Sequence, residues 1–117
     1  MTNQIEKQLI EIQNMLDTLI ETTNHLAILT KAEELEQSVY IFKSLIEGTE
    51  AIFKVLPTFE IDVLEPMKKI EQTLIIIAKT FENDAFAEVS EVAETTLKPE
   101  FVKMREKFAE VLEGFDE

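Results

Sequence analysis

Residues 57–66 read PTFEIDVLEP, and this stretch decides the fold. Two prolines bracket the alternation Phe59-Glu60-Ile61-Asp62-Val63, the pattern of a half-buried strand. A strand needs a partner, and nothing else in the chain alternates over five residues. The stretch is therefore expected to be an extended connector, with Phe59 and Ile61 covering one end of a helical domain. The alternative is an edge that pairs with a strand of another protein. On either side of it the apolar spacing is helical.

Upstream, Ile5, Leu9, Ile12, Leu16 and Leu19 step by four, three, four and three, and Thr23 and Leu26 continue the phase. This predicts a helix over about 3–27, with Thr2 or Asn3 as its N-cap. Thr30 to Glu33, TKAE, matches a capping box and predicts the start of a second helix. Its seam is Leu35, Val39, Phe42, Ile46, Thr49, Phe53 and Leu56, with Gly48 as a place for a bend and Pro57 as the stop.

Downstream, Met67, Ile70, Leu74, Ile77 and Phe81 mark a third helix, with Pro66 in its first turn and Asp62 as a cap. Leu74 to Ala78, LIIIA, is apolar on nearly every side, which predicts a central helix. Asn83 or Asp84 is expected to cap a fourth helix. Its seam runs Phe86, Val89, Ala93, Leu97, Phe101, Met104, Phe108, Val111 and Phe115. Pro99 sits inside that seam, so the helix is expected to kink or split there, and Gly114 to end it. The reading is all-α: one domain over 1–117, an antiparallel four-helix bundle of long helices.

Composition agrees. Two Gly and three Pro are too few for the turns of a β-rich fold of 117 residues. The 45% hydrophobic content, with eight Phe, supplies a core. With no cysteine there is no disulfide or thiolate chemistry, and a reducing, cytoplasmic setting is expected. The longest apolar run, Leu74 to Ala78, is far short of the roughly 20 residues of a membrane span. The net charge is −13, and residues 82–117 carry seven of those charges. Such a chain repels nucleic acid and anionic membrane and attracts a basic partner.

Enzymatic motifs are thin. Ferritin-like di-iron sites need paired Glu-x-x-His motifs, whereas Glu21 and the single histidine, His25, stand four apart with no second pair. Glu33 to Gln37, EELEQ, resembles the EExxE magnesium motif of all-α nucleotide pyrophosphohydrolases but places Gln37 where the third acid belongs. For the companion ExxD motif, EID and END are each one residue too short. Glu33, Glu34 and Glu36 instead suit the positive end of a helix. No phosphate-binding loop, zincin motif or catalytic triad is present, and no cofactor or metal is expected.

What remains is surface. Ile10, Met15, Ile41 and Val102 flank the seams and are more apolar than a single bundle interior requires. The expected function is therefore that of a non-enzymatic helical bundle acting by protein–protein contact, as a small adaptor, chaperone or regulator. In size and pattern the chain is similar to small bacterial bundle proteins, including secretion chaperones. The expected partner is a basic or amphipathic-helical protein, with a homodimer as a further option. Phe59, Ile61, Glu88, Glu91 and Glu94 are the candidate contact residues. Two other readings stand beside this one. One is a diverged metal-dependent or nucleotide-acting enzyme; the other is an acidic mimic of nucleic acid.

Overall fold

The computed structural model describes residues 4–59 and 61–114. It is 91% helical, against an ordinary share of about one third, and contains no strand among the described residues. The elements are α1 (Gln4–Lys31), α2 (Leu35–Val55), α3 (Leu64–Glu82), α4 (Phe86–Val92) and α5 (Lys98–Glu113). A 3₁₀ turn, Leu56–Thr58, follows α2, and a π turn, Ala93–Leu97, joins α4 to α5 into one broken fourth helix. The molecule measures 50 × 22 × 21 Å. A helix of the length of α1 accounts for about 42 Å of that.

The break in the fourth helix follows from Pro99, the second residue of α5. Proline has no N–H to donate and its ring crowds the carbonyl four residues earlier. The chain responds with a wider turn, in which the Lys98 N–H reaches back five residues to the Ala93 carbonyl. The inserted residue explains why Val89, Ala93, Leu97 and Phe101 bury at successive steps of four. The expected split near Pro99 is thus present, and the apolar seam crosses it.

Two hairpin turns differ from the expected capping. Thr30 is inside α1, not before α2. Its hydroxyl donates back to the Leu26 and Ala27 carbonyls, 2.8 and 3.2 Å, so it is not free to cap a new helix. α1 is closed instead by Glu33, which lies two residues past its end at Lys31 and is left-handed at φ 59°. The Glu34 N–H bonds Leu29 O and the Glu33 N–H bonds Thr30 O, a Schellman motif. The same motif ends α3: Asp84 has φ 57°, the Ala85 N–H bonds Thr80 O, and the Asp84 N–H bonds Phe81 O. Asn83 and Asp84 therefore close α3 and do not cap α4, whose N-cap is Ala85. Asp62 makes no cap either; α3 starts at Leu64, after Val63. The candidate caps Thr2 and Asn3, and the seam residue Phe115, lie outside the described residues.

α1 is the central helix. It packs along α2, α4, the π turn and α5, and buries Leu9, Ile12, Leu16, Leu19, Thr23, Leu26, Ala27, Leu29 and Thr30. Small residues bring α4 close to it, so that the Ser90 hydroxyl donates to the Ala27 carbonyl at 2.8 Å. Gly48 has a similar role between α1 and α2. A Cβ there would stand 2.8 Å from Leu19 Cδ2, and α2 runs through the glycine unbroken. α5 is tied to α1 by the Arg105–Asp17 pair, in which Nε donates to Oδ1, with Nη2 3.5 Å from Oδ2. This hydrogen bond, together with the carboxylate charge, pushes the Arg105 pKa up.

The expectation that α3 is central is overturned. α3 packs on α4, the π turn and α5, and buries only Ile70, Thr73 and Ile77. Ile75 and Ile76 are 57% and 51% exposed. The apolar run that suggested full burial wraps around a helix whose outer side nothing covers.

Candidate functional site

The four helical rods do not close a ring. α2 rests on α1, and α3 rests on α4 and α5. α2 and α3 meet through a ring contact, Phe42 to Phe81 at 5.3 Å, which Phe86 extends at 6.0 Å. Beyond that contact they part, leaving a groove of about 620 Å³. Ile46, Thr49, Glu50, Phe53 and Lys54 line it from α2; Glu71, Leu74, Ile75 and Ala78 line it from α3.

The groove exists because α2 carries two apolar stripes. The stripe that packs on α1 is Ser38, Phe42, Leu45, Thr49 and Ile52, followed by Leu56. The stripe expected to be core was Leu35, Val39, Ile46 and Phe53, sharing Phe42, Thr49 and Leu56 with the packed one. In the structure Leu35 and Val39 are each 49% exposed, while Ile46 and Phe53 are half-buried on the groove wall. A helix with one buried stripe needs only one; the second is surplus to this fold. α3 matches it, with Ile70, Thr73 and Ile77 inward and Leu74, Ile75 and Ala78 on the groove.

The groove is mostly apolar. Its walls are aliphatic and aromatic, and its ionic groups are two carboxylates and one ammonium: Glu50, Glu71 and Lys54. Among the described residues no group of three or more His, Asp or Glu is placed to hold a metal ion. His25 is exposed in a separate shallow dent beside Tyr40 and Glu36. Among the described residues the most enclosed acid is Glu100, which pairs with Lys103 at 3.1 Å and faces Lys69 at 3.9 Å. That trio bridges α3 to α5 and is explained by packing of the two helices.

A family model described as a domain of unknown function, DUF8042, matches residues 8–107. The chain belongs to the DUF8042 family. The match takes in both walls of the groove, the Phe42–Phe81 contact and the Arg105–Asp17 tie. Beyond the DUF8042 match, no curated protein and no solved structure matches the chain.

The contact residues expected from the sequence are not brought together in this DUF8042 chain. Phe59 and Ile61 are half-buried and pack against the core at the α2–α3 connector, as the connector reading requires. Val63 beside them is 3% exposed. Phe59 also borders a dent of about 250 Å³ with Ile12, Met15 and Val55. Glu88, Glu91 and Glu94 are exposed on α4 and the π turn. The full length of α3, roughly 28 Å, separates the connector from the start of α4. The groove residues had a signal in the sequence. Leu35, Val39, Ile46 and Phe53 beside Ser38, Leu45 and Ile52 make α2 wider in apolar surface than one packing face uses.

Proposed function

We propose that the chain is a non-enzymatic protein that works by contact with protein, and that the open α2–α3 side is its docking surface. One observation carries this reading: a bundle with a continuous core leaves an apolar groove open along one side, with Ile75 more than half exposed on its rim. Exposed apolar surface of this kind costs solubility unless something covers it for part of the time. The occupant it fits is an amphipathic helix, laid between two helices as a further rod of the bundle. An adaptor, chaperone or regulator acts in this way. The cysteine-free composition supports a reducing, cytoplasmic setting. No helix among the described residues is long and apolar enough to cross a membrane. The exposed Glu88, Glu91 and Glu94 supply charge that would speed the approach of a basic partner without fixing how long it stays.

The test is site-specific photo-crosslinking in the native host. A photoreactive residue at position 75 is compared with one at Glu106, exposed on α5. The reading expects adducts from 75 that map to a helical protein segment, with far fewer from 106. Equal yields at the two positions would end it.

A further inference from the structure

α3 carries a charge pattern that the fold of a single chain does not use. Lys68, Glu71, Ile75, Lys79 and Glu82 succeed one another at spacings of three, four, four and three, so they stack along one face of the helix. All five are exposed, on the side away from the buried Ile70, Thr73 and Ile77. Among the described residues none of the four ions enters an ion pair; on α3 only Lys69 does.

Their order is antisymmetric in charge about Ile75. Glu71 and Lys79 lie four residues to either side, about 6 Å along the axis, and Lys68 and Glu82 lie seven residues away, about 10 Å. A second α3 laid antiparallel, with Ile75 on the two-fold axis, therefore sets Glu71 opposite Lys79 of the partner subunit and Lys68 opposite Glu82 of the partner subunit. A two-fold axis repeats each pair, which makes four.

We infer that the open α2–α3 side is covered by a second copy of this chain, α3 lying antiparallel on its counterpart about Ile75 and each groove taking up the other copy's helix. This rests on the reading of the groove as a docking surface and names its occupant. The distribution of charge favours a copy over a basic client at this place. A chain of net charge −13 repels itself at long range. Yet α3 holds three acids (Glu65, Glu71, Glu82) against three lysines (Lys68, Lys69, Lys79). α2 holds Glu36, Glu47 and Glu50 against Lys43 and Lys54. Residues 82–97, in contrast, hold five acids and no base. The open side is close to neutral, so two copies meet there with little repulsion, and its mixed signs offer a basic helix little.

Sedimentation equilibrium of the full chain tests this. The wild type is expected to self-associate. Glu71→Lys and Lys79→Glu each turn two attractive pairs into two repulsive ones, and each should weaken association by roughly tenfold or more. Combining them restores opposite signs across the axis, so the double variant should return close to wild type. Ile75→Lys sets two ammonium groups face to face and should leave monomer. The three positions are exposed, so circular dichroism should show every variant fully helical. A wild type that stays monomeric at all concentrations would overturn the inference, as would a double variant no tighter than the singles. If position 75 of such a monomer still crosslinks to a helix of another protein, the second copy is lost and the docking reading stands. If it crosslinks to nothing, both are lost.

Discussion

Truncating neighbouring isoleucines of α3 to alanine should separate its two sides. Ile77 is 0% exposed and Ile75 is 57% exposed. Ile77→Ala removes three buried carbons, about 2.4 kcal/mol of transfer free energy at ~0.8 kcal/mol each. The cavity left behind adds to this, which places the cost inside the usual range of about 2–5 kcal/mol. Ile75→Ala loses less than half as much buried surface, and alanine is the better helix former, so its cost should stay below about 1 kcal/mol. Leu74, half-buried on the groove wall, should fall between them. At roughly 4 °C per kcal/mol for a chain of this size, Ile77→Ala should lower Tm by about 8–20 °C and Ile75→Ala by no more than about 4 °C. The assay is thermal unfolding by circular dichroism, in solution dilute enough that association contributes nothing. Equal losses at positions 75 and 77 would mean that α3 is enclosed on both sides, and the open groove would be wrong.

The two buried serines should respond to alanine with opposite signs. Ser90→Ala loses the bond to Ala27 O and should cost about 1 kcal/mol, whereas Ser38 Oγ is buried without a hydrogen-bond partner, so Ser38→Ala should stabilise in urea unfolding. Glu33→Gly and Asp84→Gly should each raise stability by about 0.5–1 kcal/mol, because both side chains sit at positive φ, where glycine is at ease; a urea midpoint shifted downward would refute the left-handed turns. Asp17→Asn breaks the tie to Arg105 across α1 and α5, and its effect on Tm should shrink as salt is added, since both side chains are more than 40% exposed.

Heptad spacing made most of the fold legible. α1 was readable almost residue by residue, from Leu9 to Leu26, and Pro99 announced the break that the π turn carries out. The connector was readable in part: Phe59 and Ile61 pack against the core, but Pro57 and Thr58 lie in a 3₁₀ turn and Leu64 to Pro66 already belong to α3, so the non-helical stretch is shorter than expected. The packing errors share a cause: spacing gives the direction of an apolar face but not what lies across from it. On α2 two stripes of equal quality overlap at Phe42 and Thr49, and only the packing of α1 selects Ser38, Leu45 and Ile52 over Leu35, Val39 and Ile46. On α3, Leu74 to Ala78 looked enclosed, but apolar residues are buried only where a neighbour arrives, and beyond the Phe42–Phe81 contact α2 leaves Ile75 and Ile76 exposed. The caps failed for a local reason. A threonine near a helix end can serve the helix behind it as well as the one ahead, and Thr30 bonds back to Leu26. The surplus apolar residues singled out from the sequence, Ile10, Met15, Ile41 and Val102, do not line the groove; its walls come from residues such as Ile46, Phe53 and Leu74 that the spacing assigns to the core.

The chain has no cysteine, so a single introduced thiol reports on one place. The most direct measurement compares the labelling rates of Ile75→Cys and Glu106→Cys, in dilute purified protein and inside the native host. With the open side as a docking surface, both thiols react readily when dilute. In the cell the thiol at 75 is protected several-fold while the one at 106 keeps its rate. An Ile75→Cys thiol that reacts as fast in the cell as in dilute solution would mean that nothing covers the groove, and the account of this chain as a contact protein acting through α2 and α3 would be contradicted.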